Sequence, residues 1–121
     1  MTKTTLNEYE AIVNAMQGYI EGNITGKADV MKSTFHDDAV IYGYLNDGQS
    51  IFGNISNLYA ALDTLGPAKD LKYRIDVLDV AVTVAVVRII LEVPGTEFVD
   101  YHSLLKVDDQ WKVISKVFHQ Y

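Results

Sequence analysis

Apolar residues recur every three or four positions through the first half of the chain and every second position through the last third. Leu6, Tyr9, Ile12, Val13, Met16, Tyr19 and Ile20 share one helical face, which predicts an amphipathic first helix. Thr5 and Glu8 fit a capping box ahead of it, and Gly22-Asn23 is the expected stop. A short second helix is expected from Lys27 to Phe35, with Ala28, Met31 and Phe35 inward. A third carries Ile55, Leu58, Tyr59, Leu62 and Leu65 on one face, with Asn54 or Ser56 as cap and Gly66-Pro67 as terminator. Between the second and third, Ala39–Leu45 reads as a strand that turns at Asn46-Asp47-Gly48 and returns through Ser50-Ile51-Phe52.

From Leu71 onward the period becomes two. Leu71, Tyr73, Ile75 and Val77 alternate with Lys72, Arg74 and Asp76, the pattern of a half-buried strand. Thr83–Val93 is almost wholly apolar, so it is expected to be a central strand covered on both faces. Glu97–Val107 and Trp111–His119 are the remaining strands, joined at Asp108-Asp109. Helices followed by an antiparallel meander predict one α+β domain over residues 1–121. Three helices then cover a strongly curved antiparallel sheet and enclose an apolar pocket.

Alternation also sorts the faces. Val99, Tyr101, Ser103, Leu105 and Val107 form the more apolar face of their strand and are expected to look toward the helices, leaving Phe98, Asp100, His102, Leu104 and Lys106 outside. With a two-residue turn at Asp108-Asp109, Ile114, Lys116 and Phe118 join the Tyr101 face, and Trp111, Val113, Ser115, Val117 and His119 the Asp100 face. A three-residue loop would reverse the last strand. An outer face carrying Trp111, Val113 and Val117 suggests a covering partner, a second copy of the chain.

Composition narrows the classes of function. Ten Lys and Arg against sixteen Asp and Glu give a net charge of −6, which argues against contacting many phosphates of a nucleic acid and against anionic membrane surfaces. Without cysteine there is no disulfide framework, thiolate nucleophile or Cys-ligated metal. The amino-terminal residues hold no apolar signal core, and the longest apolar run, Val80–Val93, is broken by Thr83, Arg88 and Glu92. The expectation is a cytoplasmic protein.

Two segments carry a family resemblance. Phe98-Val99-Asp100-Tyr101-His102-Ser103-Leu104-Leu105-Lys106-Val107 with Trp111-Lys112-Val113-Ile114-Ser115-Lys116-Val117-Phe118-His119 resembles the carboxy-terminal signature of the putative lumazine-binding family, within the nuclear-transport-factor-two-like superfamily. Tyr19-Ile20-Glu21-Gly22, Phe35-His36-Asp37-Asp38-Ala39 and Tyr42-Gly43 resemble it too. The resemblance implies a cone-shaped α+β fold with a pocket between helices and sheet, and dimers formed through the sheet. Ketosteroid isomerase, scytalone dehydratase and polyketide cyclases share the superfamily. Against the isomerase pattern, Tyr19 falls where the oxyanion-donating Tyr would sit. The catalytic Asp, however, would fall near Gly43 and the second donor near Ser103. Ketosteroid isomerisation is not expected.

The candidate contacts are Tyr19, Tyr59, Tyr101, Ser103, Lys116 and Phe118. Tyr19 either donates a hydrogen bond to a ligand oxygen or packs with its hydroxyl on backbone. Lys116, between Ile114 and Phe118, either meets a ligand carboxylate or enolate, acts with a lowered pKa, or is a strand lysine with its head in water. Tyr101, Ser103 and Phe118 would form a wall suited to a flat heteroaromatic ligand. Asp100, His102 and His119 could pair as base and orienter, or form a surface or interface cluster. His36, His102 and His119 are too scattered for a metal motif. Neither a metal nor a cofactor is expected. The first reading is a homodimeric pocket protein for a flat, largely apolar ligand. The alternatives are a cofactor-free isomerase, cyclase or dehydratase in which Tyr19 stabilises an oxyanion and Lys116 or a pocket histidine moves the proton, and an interaction protein whose pocket is filled.

Overall fold

The computed structural model describes residues 6–121. The first helix, α1 (Leu6–Thr25), buries Ile12, Met16, Tyr19 and Ile20 along one stripe. Leu6, expected on that stripe, is exposed. Of the capping box, Thr5 lies outside the described residues. Glu8 accepts from Lys106 Nζ at 2.7 Å and Trp111 Nε1 at 3.4 Å, which fastens the start of α1 to the far hairpin of the sheet. Gly22 is not the stop that the sequence suggests. A Cβ there would come within 2.7 Å of Met31 Cβ, so its bare backbone admits the next segment. The helix ends at Gly26, whose φ of +70° suits glycine and whose N–H bonds the Gly22 carbonyl at 2.9 Å.

The second helix is shorter than expected: α2 (Ala28–Met31) gives way to a 3₁₀ turn (Lys32–Thr34), and β1 (Phe35–Tyr44) already starts at Phe35. The Thr34 hydroxyl donates to the Ala15 carbonyl at 3.0 Å, and Phe35 pairs with Val113. Tertiary pairing therefore overrides the helical period. After β2 (Ser50–Asn54), the third helix, α3 (Ser56–Leu65), starts where the Asn54 side chain accepts the Ser56 N–H at 2.8 Å. It buries Leu58 and Leu62, while Leu65 is exposed. Then come β3 (Lys72–Ala81), β4 (Val84–Val93), β5 (Thr96–Val107) and β6 (Gln110–Gln120).

These strands make one six-stranded sheet in the order β2-β1-β6-β5-β4-β3. The fold is α+β as expected, with three helices against a curved, unclosed sheet. The sheet is not purely antiparallel, because β1 lies parallel to β6 and makes the last strand a central one. Strand β4 buries Ala85, Val87, Ile89 and Leu91 but leaves Val84 and Val86 exposed, so it is covered on one face rather than both. The turn before it, unmarked by glycine, runs through Val82 at φ +53°.

Curvature comes from interrupted registers. Strand β3 carries an extra residue between Val77 and Asp79, and β6 one between Val113 and Ser115. Such bulges bend a strand and sharpen its twist. The second one decides which side chains reach the interior. Next to the turn, Val107 pairs with Gln110 and Leu104 with Val113, as a two-residue connection predicts. Beyond Ile114 the register moves by one, and His102 pairs with Lys116 and Asp100 with Phe118.

The face assignment of β5 is thereby corrected. Asp100, His102 and Leu104 look toward the helices and are buried, while Tyr101 and Ser103 belong to the convex face. Lys116 and Phe118 still point inward, because the bulge moves them onto the Asp100 face. Val117 is outside, as expected, but Trp111 and Val113 are in the core.

Candidate functional site

Two neighbouring rows of residues cross the concave face of the sheet. In one, Ile41, Lys116, His102 and Val87 are successive pairing partners; in the other, Gly43, Phe118, Asp100 and Ile89. The sheet thus sets an acid, an imidazole and an amine side by side within an aliphatic wall. Tyr19, from the buried stripe of α1, comes down on them from the helical layer. The Phe118 ring fills the space beside Gly43, so no side chain fits at that position without displacing it.

The cluster is almost sealed from water: Asp100 and His102 are 0% exposed, Tyr19 1% and Lys116 5%. The Tyr19 hydroxyl donates to Asp100 Oδ2 at 2.5 Å. His102 Nε2 lies 3.5 Å from the same oxygen, an electrostatic contact too long for a firm hydrogen bond. The Lys116 ammonium stands 5.1 Å from the centre of the Tyr19 ring and 4.9 Å from that of Phe118, within range of cation–π attraction. It makes no ion pair within 4.0 Å among the described residues. Asp100 Oδ1 and both His102 ring nitrogens have no hydrogen-bond partner there either. Buried polar atoms left so cost about 1–3 kcal/mol each, and such groups gather where chemistry is done.

Burial sets the protonation states. It pushes the Lys116 ammonium down from the ordinary lysine value, with the Asp100 charge opposing it. It also pushes His102 down against the pull of Asp100, so the imidazole is neutral at pH 7. Tyr19 is raised well above the ordinary phenol range, by burial first and then by the carboxylate it faces. For Asp100 burial acts upward, but Lys116, His102 and Tyr19 together outweigh it and hold the carboxyl below the usual range. These shifts favour a carboxylate, a neutral imidazole and a phenol, and they destabilise the ammonium form of Lys116.

Lys116 and Tyr19 open onto a cavity of about 560 Å³ between α1, α3, the loop that follows α3 and the sheet. Its walls are largely apolar, with Ile41, Leu58, Leu62, Leu91 and Phe98 prominent. A second depression of about 570 Å³ at the β4–β5 turn carries no comparable cluster. Among the described residues no group of three His, Asp or Glu is placed to hold a metal ion, and no helix is long and apolar enough to cross a membrane.

Of the six residues expected at the pocket, the structure brings together Tyr19, Lys116 and Phe118. Tyr101 and Ser103 lie on the far side of the sheet, because Asp100 and His102 take the inward positions. Tyr59 packs on Phe35 at 6.3 Å between ring centres, under the Lys32 ammonium, and is not part of the cavity wall. Tyr19 also differs from its expected role: its one hydroxyl proton goes to Asp100, so toward a ligand it offers lone pairs. Its carboxyl partner is Asp100. His119 leaves the cluster for the convex face, where it meets Tyr121 at 4.7 Å.

The residues from 7 to 119 match the family model described as Putative lumazine-binding. Aldolase FrzH of Cladobotryum sp. is 35% identical over 119 residues, covering 97% of this chain and 94% of the relative. A solved NTF2-like protein of unknown function from Methylobacillus flagellatus KT is 34% identical with a TM-score of 0.91, over 98% of this chain and 96% of that one. A second, from Shewanella baltica OS155, is 32% identical with a TM-score of 0.90, over 99% and 98%. Sequence and fold agree over nearly the full length: the chain belongs to the putative lumazine-binding family.

Proposed function

We propose that the chain is an enzyme of carbonyl chemistry. It takes a small, flat, largely apolar aldehyde or ketone into the cavity and removes a proton next to the carbonyl, the step that opens aldol-type carbon–carbon bond formation. The observation that carries this reading is Lys116, a lysine held in an apolar wall beside the cavity with two aromatic faces and no ion-pair partner among the described residues. A cation there is poised for the oxygen charge that develops on enolisation, and low polarity strengthens that interaction. The Tyr19–Asp100 pair supplies the route for the proton. The Tyr19 oxygen takes it from carbon while its own hydroxyl proton passes to Asp100 Oδ2, 2.5 Å away. Similarity to a protein named an aldolase supports the same class of reaction. An apolar cavity with few polar groups would bind the body of the ligand and let those groups fix its orientation.

The test is hydrogen–deuterium exchange at the α-carbon of 1-phenylpropan-2-one in D₂O, followed by proton NMR. The wild-type chain accelerates exchange over buffer, and Lys116→Met slows it by about 10²–10³-fold, as loss of a charge-stabilising group does. Exchange no faster than in buffer would remove the reading. The same chain is proposed to self-associate through its convex face. There Phe52, Tyr42, Val117, Tyr101 and Arg88 form one continuous row across five strands, and the four apolar side chains of the row are exposed.

A further inference from the structure

We propose that Lys116 acts as a nucleophile whose side-chain nitrogen condenses with the carbonyl of an aldehyde or ketone in the cavity, so that the reaction runs through a protein-bound iminium. This rests on the carbonyl reading above and deepens it.

The geometry suits covalent as well as electrostatic use of the lysine. Around Lys116 stand the faces of Tyr19 and Phe118, at 5.1 and 4.9 Å, with Ile41 and the neutral His102 as its pairing neighbours in the sheet. No acceptor oxygen stands within ion-pair distance among the described residues. These are conditions under which an amine gives up its proton readily, and burial lowers its pKa accordingly. Each unit of such lowering makes about tenfold more free amine near neutral pH. The site also opens onto a cavity of about 560 Å³, room for a compound of some size rather than a water or two.

The step balances without any further reagent. The Lys116 ammonium gives up one proton, and the free amine attacks the carbonyl carbon and forms the C–N bond; the carbonyl π-pair moves to oxygen, which takes the proton that the attacking nitrogen now sheds. The proton released by the ammonium returns to that oxygen, which leaves as water while the nitrogen lone pair closes the C=N⁺ bond, so ammonium and carbonyl give iminium and water. Loss of an α-proton then returns the C–H pair toward nitrogen as an enamine. The proton goes to the Tyr19 oxygen as the Tyr19 hydroxyl proton goes to Asp100. The iminium keeps the single positive charge of the ammonium and the same attraction to Asp100, so an uncharged carbonyl compound leaves the charge of the site unchanged and is the preferred substrate class.

The probe is benzaldehyde with sodium cyanoborohydride, which delivers hydride to an iminium and fixes it as a benzylamine. The full-length chain would be analysed by intact mass and peptide mapping. One benzyl group at Lys116, introduced at least about tenfold faster than at any other lysine, is the expected result. Labelling spread over surface lysines with none at Lys116 would overturn the proposal, and it does not depend on a variant that folds. Lys116→Met, checked for native circular dichroism, loses the fast site and keeps the slow ones. The two readings separate when the 1-phenylpropan-2-one exchange assay runs on the same preparation. Exchange without Lys116 labelling sinks the iminium and leaves enolate chemistry standing. Labelling without exchange sustains the nucleophile and sinks the proton transfer.

Discussion

Asp100 is the carboxylate on which Tyr19, His102 and Lys116 all depend. Its hydrogen bond to Tyr19 and its pull on the two bases explain how four polar groups persist inside an aliphatic wall. His102 gives this arrangement a measurable pH signature. Its folded pKa is lowered, by burial first, so the unfolded chain takes up the proton earlier as pH falls. The contribution of His102 to stability is therefore intact above the ordinary histidine value of about 6.5 and is lost as pH drops toward the lowered one. Urea unfolding between pH 7.5 and 5.5 should show stability falling by up to about 1.4 kcal/mol per pH unit. In His102→Gln that slope should flatten; an unchanged slope would mean that His102 is not buried neutral. The sequence placed Asp100 and His102 on one face of one strand. It did not show that this face is the inner one, because apolar count favoured Val99, Leu105 and Val107. Two polar residues went inside since Tyr19 and Lys116, distant in sequence, meet them there.

Within single elements, helix and strand periods located every segment, and departures occur where another segment comes close. Gly22 resembles a helix stop but is a contact point for Met31, and the expected second helix is cut short once Phe35 enters the sheet beside Val113. Gly43 is the corresponding feature of β1. Any Cβ there collides with the Phe118 ring and carbonyl, so Gly43→Ala should destabilise by about 1–3 kcal/mol, as overpacking of a tight core does. Thermal unfolding would check this, and a variant as stable as wild type would mean that the β1–β6 contact is looser than described. The absence of an acidic base at that position is thus built into the packing of two strands.

For the molecule as a whole, the α+β architecture was legible from pattern and resemblance. The parallel pairing of β1 with β6 was not, since it joins segments some seventy residues apart with no local signal. The proposed association through the convex face belongs to this scale. Val117 lies mid-row between Tyr42 and Tyr101 and is 50% exposed, so Val117→Lys should add a charge to the interface without touching the core. Light scattering should then give a monomer where the wild type gives a dimer; equal masses for the two would refute the interface. The extra residue at Ile114 has a wider consequence. Up to Val113 the odd positions of β6 face inward, and from Lys116 on the even ones do. The inner face of the sheet is therefore written in two reading frames along one strand, the second of which supplies the cavity wall. Sliding the inserted residue by one pair would exchange an inward side chain for its outward neighbour with no substitution at all. Relatives that align here without a gap can thus present different chemistry to their ligands, and any redesign of this pocket has to fix the position of that frameshift before choosing residues.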